Sequence, residues 1–92
     1  MGAMTLEELV AEYVRKTETV FSEIRIREAP EVLEEDRVRV VVESARRYLD
    51  DSRFYREEGR LETALASVSY CEGLLSALRL LGVVEFSWPE ER

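Results

Sequence analysis

Between Gly59 and Gly82 lies a segment, Leu61 to Leu81, in which almost every residue is apolar or small. Its polar residues Glu62, Ser69, Glu72, Ser76 and Arg79 fall into one narrow stripe at helical spacing. As a helix it is roughly 30 Å long. A helix apolar over so much of its circumference has to be covered on more than one side. Leu61, Ala64, Leu65, Val68, Cys71, Leu75 and Leu78 make one side, which can face two other helices. Ala66, Tyr70, Gly73, Ala77 and Leu80 make a second side that requires another cover. A glycine inside a helix costs about 1 kcal/mol relative to alanine, so Gly73, one turn from Ala77, predicts close approach of another backbone.

The rest of the chain supplies the other helices. Thr5 followed by Glu8 is a capping-box pattern, and Leu6, Leu9, Val10, Tyr13, Val14, Val20, Phe21 and Ile24 then recur at helical spacing. This first helix is expected to reach about Arg27, with Glu12 placed to meet Lys16. Pro30 breaks the pattern, so Glu28 to about Leu33 reads as a connection. A second helix starts between Glu34 and Asp36, with Val38, Val41, Val42, Ala45, Tyr48, Leu49, Ser52 and Tyr55 as its inner stripe. Glu35 with Arg39 and Glu43 with Arg47 are i,i+4 pairs in the favourable order. Gly59 suits the left-handed position that ends this helix, so the second and third helices form a tight antiparallel hairpin.

After Gly82, the segment Val83 to Pro89 alternates, setting Val84, Phe86 and Trp88 on one side of an extended tail. The expected fold is all-α: a three-helix bundle over residues 5–82, with a long first helix, the hairpin, and a short extended C-terminal tail over residues 83–92. Met1 to Met4 read as a cloning remnant ahead of a native start at Met4. The tail is expected to fold back over the bundle, and docking on a second subunit is the alternative.

Composition narrows the function. The net charge is −7, and although nine of the twelve arginines lie between Arg25 and Arg60, that stretch also holds ten carboxylates. Nucleic acids and anionic membranes reward clustered cations, so neither is an expected partner. No run of apolar residues is long enough for a membrane span or a signal peptide, and a cytoplasmic location is expected. The chain has no histidine, which removes the usual general base, and Cys71 is its single cysteine. Neither a disulfide framework nor a zinc pattern can be built, and Cys71 reads as a core residue. No phosphate loop, nucleophile elbow or dinucleotide fingerprint occurs. Asparagine and glutamine are absent and Lys16 is the one lysine, a balance in keeping with a thermophile.

Acid chemistry would have to come from Glu34-Glu35-Asp36, Asp50-Asp51 or Glu57-Glu58. Helix-terminal charge and neighbouring arginines account for most of these, so no metal site is expected. Asp51 differs, because helical spacing sets it beside Tyr48 and Tyr55, near the inner edge of the second helix. A hydrogen bond from Tyr70 to Asp51 across the hairpin would fix its register, and Tyr48, Asp51, Tyr70 and Glu72 form the candidate polar or ligand cluster.

From Ala45 to Gly82 the chain resembles the archaeal family catalogued as domain of unknown function 357. The resemblance rests on Tyr48 and Asp51 before Gly59, then Ala64, Ser69-Tyr70-Cys71-Glu72-Gly73-Leu74-Leu75 and Leu81-Gly82. Relatives often carry alanine at Cys71 and aspartate at Ser76, so an acid that relatives have is missing here. The resemblance implies a helical hairpin and an archaeal source, brings no settled activity, and links some relatives with nucleotidyltransferase-like domains. Tyr55, Gly59 and Ala64 also give the hairpin a likeness to a tetratricopeptide unit, of which one pair is present.

The expected function is a non-enzymatic protein-protein interaction or self-association module with no cofactor, a dimer being its simplest form. Its candidate interface is Ala66, Tyr70, Gly73, Ala77, Leu80, Phe86 and Trp88. The alternative is an accessory domain that binds a nucleotide or small ligand, with or without a divalent metal.

Overall fold

A computed structural model of the chain describes residues 3–27 and 34–91. The expected connection at Glu28 to Leu33 lies outside the described residues. Helix α1 spans Leu6–Glu23, strand β1 Arg25–Ile26, helix α2 Glu35–Glu57, helix α3 Leu61–Leu80 and strand β2 Val84–Glu85, followed by a 3-10 turn at Pro89–Glu91. The three-helix architecture with a short extended tail is therefore present.

Thr5 caps α1 as its sequence predicts. Its hydroxyl accepts from the Glu8 amide at 3.1 Å, and Glu8 Oε1 accepts from the Thr5 amide at 3.2 Å. The helix stops at Glu23, earlier than expected, because Arg25 and Ile26 leave the helix to pair antiparallel with Glu85 and Val84. Both strands are two residues long, so the ladder serves as a clasp between the end of α1 and the tail.

Gly59, with φ of +76°, turns the chain from α2 into α3, and the Arg60 amide donates to the Tyr55 carbonyl across the turn. The hairpin is held in register by Ser52, whose fully buried hydroxyl donates to the Ala64 carbonyl at 2.7 Å. Small residues at Ala45, Ser52 and Ala64 line this junction, and all three are buried.

Helix α1 lies along one face of the hairpin. The core between them contains Val10, Val14 and Val20 from α1, Val38, Val42 and Leu49 from α2, and Val68, Cys71, Leu75 and Leu78 from α3. Burial of a side chain such as Leu49 or Leu75 contributes about 1.5–3 kcal/mol each. Ion pairs run along the α1–α2 edge, where Arg53 bridges Asp50 and Glu18, both at 2.7 Å, and Arg56 meets Glu7 at 3.0 Å. Two expected helix-surface pairs rearrange. Glu12 pairs with Arg15 while Lys16 crosses to Glu90, and Glu43 approaches Arg46 while Arg47 donates to Ser44. In each case a nearer or longer-range partner competes for the same group, as expected where a single helix-surface pair contributes only a few tenths of a kcal/mol. Glu35 and Arg39 do pair, at 2.8 Å.

The tail lies within the chain. Val83, Val84 and Phe86 are buried, and Trp88 is half-buried with its ring edge-on to Phe86 at 5.1 Å. Arg79 clamps the carboxylate of Glu91 through two bonds of 2.6 and 3.0 Å, and its guanidinium lies over the Phe86 ring. The molecule measures 49 × 27 × 17 Å, a thin slab in which α1 and the tail cover one face of the hairpin.

Replacing Ser52 with alanine leaves the Ala64 carbonyl without its cross-helix donor and is expected to lower stability by about 1 kcal/mol. Ser52→Leu should be far more damaging, since the site is closed on every side. Urea unfolding of the two variants beside the parent checks this order.

Candidate functional site

The uncovered face of the hairpin is built from one side of α3 and the adjoining side of α2. On α3 the stripe Ala66, Tyr70, Gly73, Ala77, Leu80 is exposed throughout. Tyr70 is 57 % exposed, Leu80 89 % and Leu81 61 %. The spacing alternates between four and three residues, which keeps a seam straight against another helix. Half-buried Leu74 flanks it on the α2 side. No charged residue interrupts the helix between Glu62 and Glu72, and Glu72 points to the opposite flank, toward Lys16 and Glu90.

The close approach expected at Gly73 is not made within the described chain. Among the described residues, a Cβ built on Gly73 would meet nothing within 4 Å. No described segment of the chain approaches it, because the tail turns the other way and follows the α1 side of α3. Phe86 and Trp88 are accordingly part of the chain's own packing, apart from the Ala66–Leu80 stripe. Trp88 only reaches the edge of that stripe, where it lines a concavity with Ser76, Arg79 and Leu80.

Where α2 borders this face, Tyr48 lies against Tyr70 with ring centroids 4.4 Å apart at an interplanar angle of 33°. Such an aromatic pair contributes about 0.5–1.5 kcal/mol beyond its buried area. The expected hydrogen bond from Tyr70 to Asp51 is replaced by this stack, and Asp51 is exposed. The two rings meet tilted rather than parallel. Asp51 instead joins Ser44, Arg47, Tyr48 and Asp50 around an open concavity of about 330 Å³. All five lining residues belong to α2, so the wall is one helix deep.

Glu72 does not join Tyr48, Asp51 and Tyr70, because two residues along a helix amount to about 200° of rotation. One of its oxygens is buried with no hydrogen-bond partner among the described residues. Burial raises its pKa above the ordinary 4.5, partly offset by Lys16, and Glu90 adds to the rise. Cys71 is fully buried in the core, and burial pushes its thiol up to about 12, so it is held protonated. Among the described residues, no three acidic or thiol groups converge as a metal ion would need. Among the described residues, no helix is long and apolar enough to cross a membrane.

A carboxylate whose pKa is raised by folding opposes folding once ionised. The opposition is fully present above the raised pKa and fades as the pH falls through it toward 4.5. Glu72→Gln is therefore expected to raise the thermal midpoint at pH 7. The gain should shrink between neutral pH and pH 4, and melting curves of both proteins across that range test the sign.

A family model described as a protein of unknown function (DUF357) matches residues 12–84, which takes in the last two thirds of α1, the whole hairpin and the start of the tail. No curated protein and no solved structure matches the chain. The match is continuous across the three helices and includes every residue of the Ala66–Leu80 stripe, and on it the chain belongs to the DUF357 family.

Proposed function

We propose that this chain is a non-enzymatic protein-docking module whose working surface is the uncovered face of the hairpin. One observation carries the reading: α3 presents an uncharged apolar stripe with a helix-interior glycine that nothing in the described chain approaches. A glycine there weakens the helix by about 1 kcal/mol relative to alanine, and an exposed Leu80 gains nothing from burial. Both features are accounted for when a second helix lies along the seam, because glycine and alanine let two backbones come close while tyrosine and leucine fill the space on either side. Contiguous exposed apolar surface on a small protein marks interaction sites.

The ligand-binding alternative draws on Tyr48, Asp51 and Tyr70. In its favour is the concavity beside Asp51, but a pocket holding a small ligand usually gathers polar groups from several elements. Here the walls come from α2 alone. The docking reading has the larger and more continuous surface behind it.

Gly73→Ala separates the two roles of this glycine. In the isolated chain it is expected to stabilise by up to about 1 kcal/mol, because the space is open. For binding, it should be harmful, as should Ala77→Glu, which puts a charge in the seam without disturbing the core. Immobilised parent chain is expected to retain a helical partner that Gly73→Ala and Ala77→Glu retain poorly. Equal retention by all three proteins would remove the docking surface from this face.

A further inference from the structure

The stripe has a symmetry that identifies its partner. About a point beside Gly73, the large and small residues of α3 exchange places: Tyr70 stands opposite Ala77, and Ala66 opposite Leu80. Two such helices laid antiparallel would set each bulky side chain over a small one and glycine over glycine. A two-fold interface requires this kind of self-complementarity, in which residue i of one copy meets residue j of the other and the reverse.

The neighbouring side of α2 has the same symmetry in charge. The Ser52–Ala64 bond and the Tyr48–Tyr70 stack set Ala45 level with Gly73. Asp51 and Arg37 lie about two turns to either side of that level, on the side of α2 that borders the open face. Both are exposed, and neither has an ion-pair partner among the described residues. An antiparallel two-fold carries Asp51 of one copy to Arg37 of the other, twice. Elsewhere the chain is strongly acidic, with a net charge of −7, so two copies repel over most of their surfaces. The Ala66–Leu80 stripe itself carries no charge.

We infer that a second copy of this chain covers the hairpin, the two hairpins packing antiparallel into a four-helix layer about a two-fold axis beside Gly73. Tyr70 of each copy sits over Ala77 of the other, and Asp51 of each meets Arg37 of the other. This rests on the docking reading above and names its partner. Two helices about 30 Å long and ~10 Å apart give a face of roughly 600 Å² per copy, somewhat below the ~800 Å² per partner of a standard stable interface. The dimer is accordingly one of modest affinity, formed at micromolar concentrations and above.

Sedimentation velocity of the whole chain from about 5 to 500 µM is expected to show a concentration-dependent monomer-dimer equilibrium. Ala77→Arg should abolish it with no loss of helicity. Asp51→Arg alone and Arg37→Asp alone should each weaken the dimer about tenfold, and the double variant should recover most of the loss. Cysteine cross-linking gives the direction. Ala66→Cys should link to Leu80→Cys in a mixture, while neither variant should link to itself. The native Cys71 is buried and does not compete. A monomer at 500 µM, self-linking of Ala66→Cys, or no recovery in the double variant overturns the proposal. If the chain is monomeric yet a different protein is retained in a manner lost with Ala77→Glu, the docking reading stands and the second copy is excluded. If neither occurs, both readings fall.

Discussion

The structure depends first on how α2 and α3 are locked together. A left-handed glycine at Gly59 sends the chain straight back on itself, and the buried Ser52 hydroxyl then selects one longitudinal register by donating to the Ala64 carbonyl. A slide by one residue would strand that hydroxyl in an apolar junction, where an unpaired donor costs about 1–3 kcal/mol. The same register places Tyr48 on Tyr70 and aligns Val42, Ala45 and Leu49 with the inward side of α3. Helix α1 can then dock in a single groove, tied along its edge by Arg53 and Arg56 to Glu18 and Glu7.

From that lock follows the asymmetry of the molecule. The hairpin has two faces, and one helix plus a ten-residue tail suffices for one of them. The tail takes the α1 side because it has two anchors there: the backbone pairing of Val84 and Glu85 with Arg25 and Ile26, and the clamp between Arg79 and Glu91. Its aromatic residues close the end of the core and leave the Ala66–Leu80 stripe bare. The chain therefore has the shape of half a helical layer structure, whose apolar face is shielded on one side only.

Much of the fold was legible in the residues. The capping box at Thr5 and Glu8, the inner stripe of α2, the glycine turn and the buried side of α3 all appear where periodicity puts them, because helix amphipathicity and terminal signals are local properties. The departures come where local rules give no decision. The end of α1 yields to strand pairing with a tail sixty residues away. Surface pairs such as Glu12 with Lys16 carry too little energy to resist a competing partner. Asp51 lies one turn from Tyr48, near enough for either a hydrogen bond or a stack across the hairpin, and a difference in helix rotation of a few tens of degrees decides which. The candidate polar cluster was legible only in part for that reason: Tyr48 and Tyr70 meet, Asp51 lies at the rim, and Glu72 lies on the far flank.

By itself, the sequence determined that α3 has more apolar surface than an ordinary three-helix core can use, because that is a count of side chains around one helix. It also determined that histidine chemistry is absent and that Cys71 belongs to the core. Only the tertiary structure decided that the tail leaves this surplus bare. The tail was an apt candidate in composition, but backbone pairing with Arg25 and Ile26 and the charge of Arg79 draw it to the α1 side. Long-range hydrogen bonds and ion pairs of that kind leave no periodic trace in a sequence, and they are what leaves Gly73 facing outward.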